Sequence, residues 1–160
     1  MSTNWRFLWV HVTVVLALLL LVMPLPAAVN LFRPDWPLLV LTYWVLALPH
    51  RISIGTAFVF GFLVDVMVGT ILGVNALGYS VVAFIVAANY AKIRNFSILQ
   101  QSLLIGLIFA FYHLLIFWLS HFLTGVSFRM AYLWPVLTSM ALGPYIFLFL
   151  RRFRRKLKIQ

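Results

Sequence analysis

Apolar residues run through this chain in long blocks separated by short polar, glycine-rich or proline-rich breaks. The blocks cover about residues 7–25, 36–49, 52–68, 74–91, 101–123 and 131–150. The breaks are Met23-Pro24-Leu25-Pro26, Arg33-Pro34-Asp35, Pro49-His50-Arg51, Gly69-Thr70-Ile71-Leu72-Gly73 and Lys92-Ile93-Arg94-Asn95. A bilayer core takes about 20 apolar residues per helix, so the pattern predicts an all-α membrane protein. The expected architecture is one integral-membrane domain over residues 1–160, a bundle of six transmembrane helices followed by a basic tail at 151–160. The first block also has the outline of a signal peptide, a charged start and then an apolar stretch. An anchoring first helix is the better reading, because the rest of the chain is equally hydrophobic.

One block is short. Residues 37–48 would make roughly 18 Å of helix against a hydrocarbon core of about 30 Å. The segment reads as a short span or as a re-entrant hairpin.

Composition excludes the soluble alternatives. With 65% of residues hydrophobic and 9% charged, a water-soluble domain would lack the polar surface to cover its core. A net charge of +10 would point to nucleic acid in a soluble protein. Here half of the basic residues close the chain, Arg151, Arg152, Arg154, Arg155, Lys156 and Lys158, directly after a hydrophobic block. That placement predicts a topology anchor that attracts anionic lipid, with no role for nucleic acid. With six spans and an inside N-terminus, ten of the twelve basic residues fall on the cytoplasmic side, leaving Arg33 and Arg129 outside. A five-span chain divides them equally unevenly, so charge places the tail in the cytoplasm without fixing the N-terminus.

Candidate chemistry is sparse. Cysteine is absent, which removes thiolate metal sites. His113 and His121 are eight apart, too far for a helical i, i+4 metal pair, and no acid neighbours them along the chain. No nucleophile elbow, phosphate-binding loop or close carboxylate pair occurs, so no catalytic, metal or cofactor site is expected. The two acids are Asp35 and Asp65. Asp35 sits among prolines beside Trp36 and reads as a helix N-terminal acid at a membrane interface. Asp65 lies inside the third block, where a charge is costly. It shares a helix face with Ala57, Gly61 and Gly69, so it points toward the bundle. It reads as a polar lock between helices, with a solute or proton-relay role or a partner contact as alternatives. The expected lock is an ion pair of Asp65 with Arg33, preferred over Arg129. In the fourth block Ala76, Ser80, Ala83, Ala87 and Ala91 stay within about an 80° arc and predict a helix-packing seam. Gly143-Pro144 predicts a kink in the last block, and the six tryptophans read mostly as interfacial anchors.

The ordered set Phe32-Arg33-Pro34-Asp35-Trp36-Pro37, Tyr43-Trp44, Leu48-Pro49-His50-Arg51, Gly55-Thr56-Ala57, Gly61, Asp65 and Gly69-Thr70-Ile71-Leu72-Gly73 resembles the MreD family of rod shape-determining membrane proteins. Val126-Ser127-Phe128-Arg129 and the basic tail are similar as well. The resemblance implies a non-catalytic inner-membrane component of the bacterial cell-wall elongation complex, needed for rod shape and lateral peptidoglycan synthesis. It implies association with MreC, and through MreC with MreB filaments and the peptidoglycan polymerase–transpeptidase pair. It also implies a fold similar to the substrate-binding subunits of vitamin (ECF-type) transporters. That likeness carries the alternative function, a small-solute-binding membrane subunit of a transporter. A solute site would need several convergent polar groups at one depth of the bundle, and the sequence offers few.

Overall fold

The computed structural model of the chain describes residues 3–125, 127 and 129–156. Among these residues the structure is helical throughout and contains no strand. The helices are α1 (Thr3–Val22), α2 (Ala27–Asn30), α3 (Trp36–Ala47), α4 (Ile54–Val68), α5 (Val74–Ala88), α6 (Tyr90–Asn95), α7 (Ile98–Thr124) and α8 (Trp134–Lys156). A 3₁₀ turn, Met130–Leu133, leads into α8.

Local chemistry sets the boundaries. Pro24 and Pro26 follow the end of α1, where proline cannot continue a helix. Ser53 caps α4 by accepting a hydrogen bond from the Thr56 amide at 3.3 Å. Ser97 and Gln100 form a capping box at the start of α7. Gly69 and Gly73 bracket the α4–α5 turn in the left-handed region, at φ 74° and 98°.

The short block is the centre of the molecule. α3 packs against α1, α5 and α8, and ten of its twelve residues are buried. A helix that is apolar all round belongs inside, which is why its sequence shows no polar face. Its buried Thr42 hydroxyl is satisfied within the helix by the Leu38 carbonyl at 2.7 Å. Trp44 is fully buried at the α3–α1 contact, and its indole N–H donates to Thr13 Oγ1 at 2.8 Å. The structure thus corrects the interfacial reading for this tryptophan. α1 contributes Val10, Val14, Ala17 and Leu18 to the same core, as an element of the bundle.

Two boundaries differ from the sequence expectation. The fourth block breaks at Asn89, whose backbone leaves the helical region (φ −114°, ψ 12°) and separates α5 from α6. The last helix runs through Pro144 and on to Lys156, so Arg151, Arg152, Arg154, Arg155 and Lys156 are helical. Lys158 lies outside the described residues.

The outer faces are as apolar as the core. Leu16, Leu19 and Leu20 on α1, Phe58, Val59, Phe62 and Val66 on α4, and Leu103, Leu107 and Trp118 on α7 are all exposed. Water does not tolerate apolar surface this extensive.

Candidate functional site

The polar interior is concentrated in two clusters near the N-terminal end of α3. The first surrounds Asp65, which is completely buried at the end of α4. The αL glycines turn the chain so that the first amides of α5 face this carboxylate. Gly73 N donates to Oδ2 at 2.9 Å, Ala76 N to Oδ2 at 3.2 Å and Asn75 N to Oδ1 at 3.1 Å. Thr70 Oγ1 donates to Oδ1 at 2.7 Å, and the Asn75 side-chain amide to the same oxygen at 2.8 Å. The start of a helix presents unsatisfied N–H groups and a partial positive charge, so a carboxylate is a fitting cap. Gly73 has no side chain to cap α5, and Asp65 supplies the cap from the preceding helix. Tyr112 on α7 extends the network by donating to Asn75 Oδ1 at 2.6 Å.

Close backbone approach makes this geometry possible. A Cβ at Gly61, one turn before Asp65, would lie 2.6 Å from the Ala76 Cα. At Gly78 it would meet the Tyr112 ring at the same distance. Small residues here let α4, α5 and α7 come together.

The expected Asp65–Arg33 ion pair does not form. Arg33 instead turns back on α1, where its guanidinium donates to the Leu20 carbonyl, to Met23 O at 2.8 Å and to Asn30 Oδ1 at 3.4 Å. A cation suits these carbonyls at a helix C-terminus as a carboxylate suits the amides at an N-terminus. Each charge therefore satisfies a helix end, and neither needs the other. Arg129 makes no ion pair with Asp65 among the described residues.

The second cluster joins Asp35 to α7 and α8. Asp35 occupies the N-cap position of α3, yet its side chain makes no capping bond. Its Oδ2 lies 2.5 Å from His113 Nε2, and its backbone N–H donates to the buried Ser139 Oγ at 3.1 Å. This corrects the reading of His113 as a histidine without an acid partner. Tyr112 and His113 are consecutive, with ring centroids 5.1 Å apart, so one turn of α7 touches both clusters.

Of the predicted seam, Ala76 and Ala83 are buried, Ser80 and Ala87 are half-buried, and Ala91 is exposed on α6 beyond the break at Asn89. Sequence reading missed Thr70, Asn75, Tyr112, His113 and Ser139. Asn75, a polar residue entering an apolar block ten positions after an acid, was the available signal. Among the described residues no group of three or more His, Asp or Glu side chains is placed to hold a metal.

A family profile for the rod shape-determining protein MreD matches residues 1–153. The chain belongs to the MreD family. It is 37% identical over 161 aligned positions to the rod shape-determining protein MreD of Haemophilus influenzae, covering 99% of each chain. No solved structure matches it. Membership of this shape-determining, membrane-associated family gives the chain a role in cell shape. Among the described residues two helices, α7 and α8, are long and apolar enough to cross a membrane.

Proposed function

We propose that this MreD-family chain is a non-catalytic, multi-pass scaffold of the inner membrane, acting in the cell-wall elongation complex. In this reading α1, α3, α4, α5, α7 and α8 form a six-span bundle with both termini in the cytoplasm. The bundle associates with MreC, and through it with MreB filaments and the peptidoglycan polymerase–transpeptidase pair.

The observation that carries the reading is the use made of the two acids. Asp65 caps α5, and Asp35 is engaged by His113 and Ser139. Both side chains hold helices together, which is what a scaffold requires of an intramembrane charge. The apolar outer faces supply the lipid-facing surface. The short central helix fits this arrangement because protein, rather than lipid, surrounds it. A fold like that of the vitamin-transporter subunits belongs to the same proposal.

Deletion and complementation test it. Loss of the chain should turn rods into rounded cells while leaving solute uptake intact. The purified chain should co-purify with MreC. One-to-one binding of a vitamin-like solute, with shape unaffected by deletion, would favour the transporter-type reading instead.

A further inference from the structure

At the end of the bundle opposite the two carboxylates, the structure brings Arg94 together with a pair of arginines far from it in sequence, Arg151 and Arg154. Arg94 of α6 and Arg151 and Arg154 of α8 line one pocket of about 270 Å³. Its wall includes Tyr43 near the end of α3, Phe96 before α7 and Leu148 on α8. Arg154 is steadied by the Ala47 carbonyl at the C-terminus of α3, 3.4 Å from its Nη1.

The pocket lacks a counter-charge. The chain has two acidic side chains in all, and both are engaged in the clusters at the other end. Like charges gathered in a partly desolvated cleft repel one another unless an anion sits between them. A second observation is independent of charge. Tyr43 is more than nine-tenths buried against Trp44 and Phe147, and its hydroxyl has no hydrogen-bond partner among the described residues. Arg154 and Arg151 are near enough for their charges to act on it. A buried hydroxyl without a partner is costly and calls for an acceptor. The first turn of α7, at Ile98 and Gln101, also borders the pocket and adds the positive end of a long helix.

Three guanidinium groups, a hydroxyl donor and a helix N-terminus together describe a receptor for a phosphate oxyanion. The apolar residues name its carrier. Phe96 and Leu148 are exposed beside the arginines, where they would meet acyl chains rather than water. The volume falls just below that of pockets for drug-sized molecules, about 300–1,000 Å³, which suits a headgroup.

We propose that this pocket is a specific site for the phosphate headgroup of an anionic phospholipid of the cytoplasmic leaflet. The proposal rests on the membrane-embedded reading above. It goes beyond general attraction of the tail to the membrane, because Arg152 and Arg155, equally charged and exposed, do not line the pocket.

The test uses the full chain purified in neutral detergent, with short-chain phosphatidylglycerol, short-chain phosphatidylcholine, inorganic phosphate and an acidic peptide as separate probes. Binding is read by native mass spectrometry and by thermal shift. Phosphatidylglycerol should bind at one-to-one stoichiometry, at least about tenfold more tightly than phosphatidylcholine or inorganic phosphate. The double variant Arg94→Gln/Arg151→Gln should weaken it at least about tenfold. The control Arg152→Gln/Arg155→Gln, with the same loss of charge, should change it less than about twofold. Tyr43→Phe keeps the ring packing and should weaken binding about threefold or more by removing the hydroxyl. Equal losses in the pocket and control pairs would overturn the site in favour of diffuse charge attraction. Inorganic phosphate binding as tightly as the lipid, or displacement of lipid by the acidic peptide at lower concentration, would overturn its assignment to a lipid. Wild-type protein that fractionates with the soluble phase would overturn the membrane reading itself. Membrane-bound protein that takes up no anionic lipid would overturn the site alone.

Discussion

Asn75 donates twice to one oxygen of Asp65, 3.1 Å away from its backbone nitrogen and 2.8 Å from its side-chain nitrogen. The end of α4 is thereby fastened to the start of α5 inside the apolar interior. Asp65→Asn keeps the volume but turns an acceptor-only group into one that must present an NH₂ to amide donors. The stability of the purified protein in neutral detergent should fall by about 2–4 kcal/mol, because buried N–H groups lose their acceptor. Arg33→Gln should destabilise separately, by loosening the end of α1. The two effects should add to within about 0.5 kcal/mol, since the residues share no partner. A double variant no worse than the worse single one would restore the ion pair that the sequence suggested.

Gly61 offers a test of the α4–α5 approach. A methyl group there would press on the Ala76 backbone, which cannot swing aside as a side chain would. Gly61→Ala should cost about 1–3 kcal/mol from overpacking. At Gly55 a Cβ would meet only Ser53 Oγ, at 3.5 Å. Gly55→Ala should therefore be neutral or up to about 1 kcal/mol stabilising, by the ordinary helix preference for alanine. Thermal melts of the two variants side by side check this, and equal melting temperatures would count against the close approach.

What could be read from the sequence was local. The apolar blocks, the glycine turn at 69–73 and the inward face of Ala57, Gly61 and Asp65 all follow from spacing along one segment. The partner of Asp65 did not, because its main donors are backbone amides, which every residue but proline carries and no sequence distinguishes. A search limited to charged side chains finds Arg33, whereas a helix C-terminus competes for that guanidinium and wins. Trp44 reads as an interfacial residue because it lies near the end of its apolar block. Its burial follows from the packing of α1, α5 and α8 around α3, which spacing along one segment does not show. The pocket at Arg94, Arg151 and Arg154 depends on three chain segments meeting at one end of the bundle, and no local signal brings residues 94 and 151 together.

The Asp35–His113 contact is the most distant of the missed pairs, joining residues 78 positions apart at 2.5 Å. It ties the start of α3 to the middle of α7, and both side chains are mostly buried. His113→Gln and Asp35→Asn should each destabilise the protein, and the double variant should recover a coupling energy of about 0.5–3 kcal/mol. His121 serves as a control, because it lies two turns further along α7 on an exposed position. His121→Gln combined with Asp35→Asn should show no such recovery in the same thermal assay. Strict additivity of the His113 and Asp35 effects would mean that the contact contributes nothing to stability.

The proposed topology makes the last prediction. α3 is 12 residues long, about 18 Å at 1.5 Å per residue, so by length alone it falls short of a bilayer. Its two ends nevertheless belong to opposite ends of the bundle. Asp35 at its start meets Ser139 near the start of α8, while Ala47 at its end meets Arg154 near the end of α8. A helix whose termini pair with both ends of a longer spanning helix crosses as that helix does, antiparallel hairpins aside. If α8 spans, α3 should span with it, and the proposed bundle of α1, α3, α4, α5, α7 and α8 then makes six crossings. A reporter active only in the cytoplasm should then give signal when fused before residue 2 and again after residue 160. Fusions in the 24–34 and 125–130 loops should be silent, and those in the 49–53 and 92–97 loops active. Silence at the N-terminus with activity at the C-terminus would make α3 re-entrant and would refute the six-span bundle. Activity at both ends together with silence in the 49–53 loop would mean that α3 does not cross, and would separate Ala47 from the arginine pocket.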